Sequence, residues 1–324
     1  MSNPERLNAT RVTVRAPARL HLGFLDLNGG LGRRFGSIGL GLGGISTRLT
    51  LRRAEEPRVT GPDAERVGNY LATMQQALGR NDAYDIEIKT AVPPHAGLGS
   101  GTQMALAVAA AIRRLNDLPY DETGDAVRLG RGQRSGIGVA AFRSGGLVVD
   151  GGRGAATQVP PLVSRIAIPA DWRVIVLLDP ARQGLFGSNE LAAFGQLGEF
   201  SPQDAAHLCR LVLMRALPAA AESDLAAFGA AISELQARIG DYFSPLQGGG
   251  RFTSPDVGAV LAYLDADGAY GIGQSSWGPT GFAFAASQQE AERLAARARA
   301  HPQGQGLDIR ICAALNHGAE IIAE

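Results

Sequence analysis

"PPHAGLGSGTQMALAVAAAIRRLND", residues 93–117, bears on fold and function together. Glycines at 97, 99 and 101 interrupt any regular strand, and the Ala/Val/Leu/Ile run that follows is apolar on nearly every side. A helix with that pattern is buried. Glycine permits positive φ and close backbone approach. The first amides of a helix lack intrahelical acceptors and, backed by its dipole, point at any anion before it. Gly97, Leu98, Gly99, Ser100, Gly101, Thr102 and Gln103 are therefore the candidate phosphate seat, with two hydroxyls and an amide as extra donors. The alternative is a loop that simply turns the chain from strand into helix. The spacing is not the dinucleotide fingerprint, and no glycine-rich loop ends in Lys-Ser/Thr.

Strands and helices alternate outward from this stretch. "RVTVRA" (11–16), "RLHLGFLDL" (19–27) and "STRLTLRR" (46–53) read as strands, and the glycine-rich text of 28–44 as a mobile or tightly turned loop. A helix is expected from Pro62 to about Leu78, a strand over 84–90 and a shorter helix near 121–131. Residues 132–152 read as turn-rich, ending in a short apolar strand. "WRVIVLLD" (172–179) has the pattern of a buried strand, and 202–240 of a helical region. "GIGQSSWGPTGFAFAAS" (271–287) is a second glycine turn entering a strand; a helix follows, and "LDIRICAAL" closes the chain as a strand. A boundary near 155–170, where Pro and Gly cluster, divides the chain into domains 1–160 and 161–324.

Composition narrows the function. Net charge is zero over 324 residues with 45% hydrophobic and 19% charged, which suits a packed core and gives no footprint for nucleic acid or an anionic membrane. No apolar run reaches the roughly 18 residues of a membrane span. The opening "MSNPERLNATR" lacks a secretory apolar stretch. Cys209 and Cys312 have no metal spacing and read as reduced, part-buried thiols of a cytoplasmic protein. Of the 31 basic residues only Lys89 is a lysine. It falls on the exposed face of "YDIEIKT", so a pyridoxal phosphate Schiff base is not expected, and an anion clamp must use arginine, backbone amides or a metal.

The loop resembles the second motif of the GHMP kinase superfamily, "APARLHLGFLDLNGG" its first motif, and "GIGQSSWGPTGFAF" falls where its third lies. The resemblance implies an α+β fold in two parts, a ribosomal protein S5 domain 2-like N-terminal half and a ferredoxin-like C-terminal half. The chain departs from the kinases at three places. Gly101 stands where kinases usually carry a second, metal-facing serine; "QRSGIGVAAF" lacks their acidic catalytic residue; and "SSWGPTG" replaces consecutive glycines. With "SGIGVAAFRSGGLVVDGG", these stretches resemble the β-ribofuranosylaminobenzene 5′-phosphate synthase branch. That branch implies condensation of phosphoribosyl pyrophosphate with 4-aminobenzoate and loss of CO2 and pyrophosphate, for tetrahydromethanopterin synthesis. It also implies Mg2+ at the leaving group and a homodimer. An ATP-dependent small-molecule kinase on the same scaffold is the alternative, and a non-catalytic ligand-binding protein a third.

Such chemistry needs firmly held anions more than a side-chain nucleophile. On a strand, Arg19 and His21 share a face and would project together into a cleft. Asp26, at the strand end, could hold a metal, the arylamine or ribose hydroxyls, or simply cap the turn before Asn28-Gly29. Arg19, His21 and Asp26 are the candidate catalytic set. Arg134, Ser135, Ser275, Ser276 and Trp277 are candidates for substrate contact, Trp277 by stacking on the ring, although a tryptophan is more often core. Asp150 and Glu190 could be metal ligands or structural caps. His95 adjoins the loop; His207, His301 and His317 have no ligand spacing.

Overall fold

The computed structural model describes residues 9–184 and 195–324. Glu190 lies outside the described residues. β1 (Arg11–Asp26) and β2 (Phe35–Arg53) form a long antiparallel pair. The two strands expected over 11–27 are one, bent by register shifts between Pro17 and Ala18 and between His21 and Gly23.

The expected loop over 28–44 is also corrected, since β2 begins at Phe35. Its glycines serve packing there. Ile38, Leu40 and Leu42 join the core, while Gly39 and Gly41 let neighbours come close. A Cβ on Gly39 would stand 2.2 Å from Ile137 Cγ2 and 2.6 Å from the Leu20 carbonyl oxygen.

Next come β3 (Arg58–Thr60), α1 (Ala64–Leu78), β4 (Tyr84–Thr90), α2 (Ser100–Leu115) and α3 (Glu122–Arg128). The stretch read as turn-rich holds a further helix, α4 (Ile137–Arg143), before β5 (Leu147–Asp150) and β6 (Leu162–Ile166). The first sheet runs β11-β1-β2-β4-β3, with β5 and β6 added beside β2. Strand β11 (Glu320–Ala323), antiparallel to β1, is an element the sequence reading did not contain. As the apolar pattern requires, α2 is buried from Gln103 through Arg113. Its one deep cation, Arg113, is held by both carboxylate oxygens of Asp125.

The second sheet is antiparallel in the order β10-β7-β9-β8, from β7 (Arg173–Leu178), β8 (Tyr270–Gln274), β9 (Gly281–Ala285) and β10 (Asp308–Ala313). β7 is covered on both faces: Val174, Val176 and Leu178 meet the main core, Ile175 and Leu177 a second cluster. After β7, α5 (Pro202–Leu211) runs through a π-helical turn, Val212–Ala216, into α6 (Leu217–Ala221) and then α7 (Leu225–Phe243). Phe228 and Ile232 of α7 belong to the main core. Residues of α8 (Pro255–Ala266) and α9 (Gln288–Ala300) build the second cluster. The main core contains Leu20, Leu22 and Leu40 from the first sheet with Phe282 and Phe284 from the second, so one apolar body joins both sheets. Among the described residues no helix is long and apolar enough to cross a membrane.

Candidate active site

The glycine loop enters α2 through a left-handed N-cap, Gly99 at φ 83°, after Gly97 at φ 78°. The first intrahelical bond here runs from the Gln103 amide to the Gly99 carbonyl. The amides of Ser100, Gly101 and Thr102 thus stand at the positive end of a buried 16-residue helix.

Two distant segments, β1 and the turn between β8 and β9, hold the loop in place. A Cβ on Gly97 would lie 2.1 Å from the Ser275 carbonyl oxygen, and one on Gly278 would lie 2.3 Å from that of Ala96. Ser275, fully buried, donates to the Gly97 carbonyl at 2.8 Å and accepts from the His21 amide at 3.0 Å. One hydroxyl therefore ties β1, the loop and the β8–β9 turn together. Arg19 contributes twice: its amide donates to the Leu98 carbonyl at 3.1 Å and its guanidinium to the Gly97 carbonyl. Its side chain runs beneath Gly99, whose Cβ would fall 3.1 Å from Arg19 Cγ. The sequence motifs at the front, middle and end of the chain converge here.

His21 lines a small recess with Gln236, Ser276 and Trp277, between β1, α7 and the β8–β9 turn. It is 3% exposed, edge-on to Phe24 at 4.6 Å, and its Nε2 is buried with no hydrogen-bond partner among the described residues. Burial first, and then the Arg19 charge, hold its pKa down at about 3, so the ring is neutral. Asp26 accepts from the amides of Asn28 and Gly29 at 2.9 and 2.8 Å, which caps the turn. Trp277 is 3% exposed and packs on Phe243 with ring centroids 4.2 Å apart. In this arrangement it is largely a core side chain, at the edge of the small recess it shares with His21, Gln236 and Ser276. Gln103 turns inward and donates to the Gly138 carbonyl at 2.8 Å. Ser276, at φ 58°, shapes the same turn as Ser275.

Asp150 sits 1% exposed beneath the start of α4. It accepts from Ser37, from Ser135 at 3.2 Å, and from the amides of Gly136 and Gly152 at 2.9 Å each. Burial raises its pKa, against those hydrogen bonds. With two hydroxyls and two amides on its oxygens, Asp150 is a cap that fixes α4, and Ser135 is part of that cap. Arg134 is half-buried next to it. Among the described residues no group of three His, Cys, Asp or Glu side chains could hold a metal ion. Cys209 is exposed; Cys312 is buried and its thiol is pushed up to about 12 by burial. His207 pairs with Glu234 at 2.6 Å, on α5 and α7.

Arg131 was not singled out from the sequence. A Cβ on Gly101 would stand 2.9 Å from its Nη1, so the glycine leaves room for a guanidinium over the start of α2. Arg131 lies over the Tyr70 ring, 5.3 Å from its centroid, and donates to the Tyr70 hydroxyl. The one available signal was Gly101 itself, which removes the side chain that would have filled this space.

Comparison with known proteins agrees with this geometry. Residues 65–146 match the GHMP kinases N terminal domain and 216–303 the GHMP kinases C terminal domain. The fold is that of a homoserine kinase from Cytophaga hutchinsonii (TM-score 0.67, 16% identity, 99% of both chains covered). It is equally that of a mevalonate diphosphate decarboxylase from Staphylococcus aureus (TM-score 0.65, 16% identity, 97% of this chain and 98% of that one). The chain is therefore a GHMP-fold protein. Over 95% of its length it is 31% identical to a β-ribofuranosylphenol 5′-phosphate synthase of Archaeoglobus fulgidus, covering 98% of that protein. A Methanothermobacter thermautotrophicus protein of the same name is 28% identical over 82% of the chain and 86% of its own length. The chain belongs to the β-ribofuranosylphenol 5′-phosphate synthase family.

Proposed function

We propose that the protein joins phosphoribosyl pyrophosphate to a para-substituted benzoate and releases CO2 and pyrophosphate, a step of tetrahydromethanopterin synthesis. The bond from ribose C1 to the pyrophosphate oxygen breaks, and its electron pair leaves with pyrophosphate. The ring carbon that bears the carboxylate attacks C1. The bond to the carboxylate then breaks, and its pair restores the aromatic ring. No proton has to be taken from carbon.

The observation that carries this reading is the anion seat at α2, where three first-turn amides and the Arg19 and Arg131 guanidinium groups surround one glycine loop. Fixed donors of this kind stabilise charge developing on a departing pyrophosphate without reorganising. The neutral, buried His21 and the fully bonded Asp150 are poorly placed as bases, which fits a reaction that needs none. Magnesium would be carried on the pyrophosphate oxygens of the substrate, as this hard, strongly hydrated cation commonly is.

The relatives are named for a phenol, whereas the sequence motifs pointed to an aminobenzene. Both products come from the same bond changes, and the para group decides between them. The test incubates the protein with phosphoribosyl pyrophosphate, Mg2+ and either carboxyl-labelled 4-aminobenzoate or 4-hydroxybenzoate, and follows labelled CO2. Release from one of them supports the reading and identifies the acceptor. Release from neither overturns the reading, and phosphoryl transfer from ATP to a small alcohol replaces it with the kinase reading.

A further inference from the structure

The substrate of the proposed reaction carries phosphate at both ends, at ribose C5 and at C1. One glycine loop seats one end. Beside it lies a groove of about 370 Å³ lined by Arg131, Gln133, Arg153, Thr157 and Gln158, with no Asp or Glu in its lining among the described residues. Its size is that of a small-ligand site.

Arg131 links groove and loop, because it lines the groove while its Nη1 lies over Gly101 at the start of α2. A cation at the positive end of a helix is unfavourable unless an anion lies between them. The partners of Arg131 among the described residues are the Tyr70 hydroxyl and ring, and its Nε is buried without a hydrogen-bond partner. Arg153 is exposed and held by backbone alone: its main chain bridges Arg34, and its Nη1 donates to the Gln133 carbonyl at 3.3 Å. Arg33, alongside at Gly154, likewise bonds the carbonyls of Gly151 and Gly152. Among the described residues the groove thus gathers guanidinium groups that meet carbonyls and a phenol instead of carboxylates. A purely structural arginine cluster would be expected to include its counter-ions, since unpaired like charges repel.

We propose that this groove is the second phosphate seat of the same substrate, with Arg153 binding one terminal phosphate and Arg131 shared between the two seats. The inference rests on the reading of function above. It places the ribose between Gly101 and Arg153.

The test titrates inorganic pyrophosphate and ribose 5-phosphate separately into the wild-type protein, Arg153→Gln, Arg131→Met and Gly99→Val, and records each thermal midpoint. Arg153→Gln should keep the wild-type midpoint, bind one probe about tenfold or more weakly for the loss of a charge-assisted contact, and bind the other normally. Gly99→Val should weaken the opposite probe, and Arg131→Met both. Tyr70→Phe, which removes the hydrogen bond but leaves the guanidinium, should bind both probes as wild type does. If Arg153→Gln binds both probes normally, or loses both equally, there is no separate second seat. If the wild-type protein binds neither probe, the reading of function fails and the seat with it. If both seats behave as described but no labelled CO2 appears, the seats stand and the reaction assignment falls.

Discussion

Residues 36–44 and 97–101 have nearly the same composition, yet one becomes a buried strand and the other the turn that opens α2. The difference lies in what each glycine is for. Gly97 and Gly99 hold left-handed backbone, at φ 78° and 83°, which ends extended structure and turns amides outward. Gly39 and Gly41 sit in ordinary extended backbone inside β2, and a side chain is missing there because α4 and the segment before β11 press against the strand. Leucines alternating with glycines mark the second use. Glycines crowded before an unbroken apolar helix mark the first.

Substitutions should separate the two uses. The largest effect is expected at Gly97→Val. Left-handed backbone with a β-branched side chain costs about 1–3 kcal/mol by itself, and the new Cβ would strike the Ser275 carbonyl at 2.1 Å. Pyrophosphate affinity should be lost together with stability, as read by calorimetry and denaturant unfolding. Retained affinity would break the contrast.

Gly39→Ala should be next. Overpacking against Ile137 and the Leu20 carbonyl should cost about 1–3 kcal/mol, with the affinity of the folded fraction unchanged. Combined with Ile137→Ala, which alone costs about 2–5 kcal/mol, Gly39→Ala should destabilise by less than the sum of the two single changes, and only partly so because the Leu20 carbonyl stays at 2.6 Å. Full additivity in the double-mutant cycle would show that close packing is not the reason for the glycine.

The third test is acid sensitivity at His21. Its folded pKa of about 3 lies below the ordinary 6.5, so between those values the unfolded chain takes up a proton that the folded chain does not. Stability is therefore complete above pH 6.5 and falls as the pH drops through this window. His21→Gln should flatten that fall in urea melts taken from pH 7 to 4. Asp150 works in the opposite direction, because its raised pKa favours the protonated folded state, so only the difference between variant and wild type is informative. An unchanged slope would mean that His21 is hydrated.

The legible parts were those where a local pattern and its tertiary use coincide. Strand 84–90 and the Arg173–Leu178 strand appear where alternation and apolar runs placed them, and the loop-to-helix junction at Gly99 needed only glycine and helix physics. Helix α4 was hidden because its N-terminus is fixed by Asp150, 13 residues beyond Ile137 and visible only in three dimensions. The motif residues converge, but several face inward. Trp277, Gln103 and Ser275 hold the site together from behind. Arg131 belongs to no motif, and its proximity to Gly101 depends on how α1, α2 and α3 pack.

The pairing of β1 with β11 has a consequence for biosynthesis. Val12 faces Ala323 across the sheet, and the amides of Thr10 and Arg11 donate to the Glu324 carbonyl at 2.8 and 3.0 Å. A ribosome making this chain releases β1 with one edge uncovered, and β11 cannot cover it until everything between has been synthesised. Throughout that interval an exposed strand edge is available to other chains, and contacts of such long sequence separation form late in folding. Truncation after β10 should therefore reduce recovery from refolding more than it reduces secondary structure, and slower elongation should lengthen the time spent at risk.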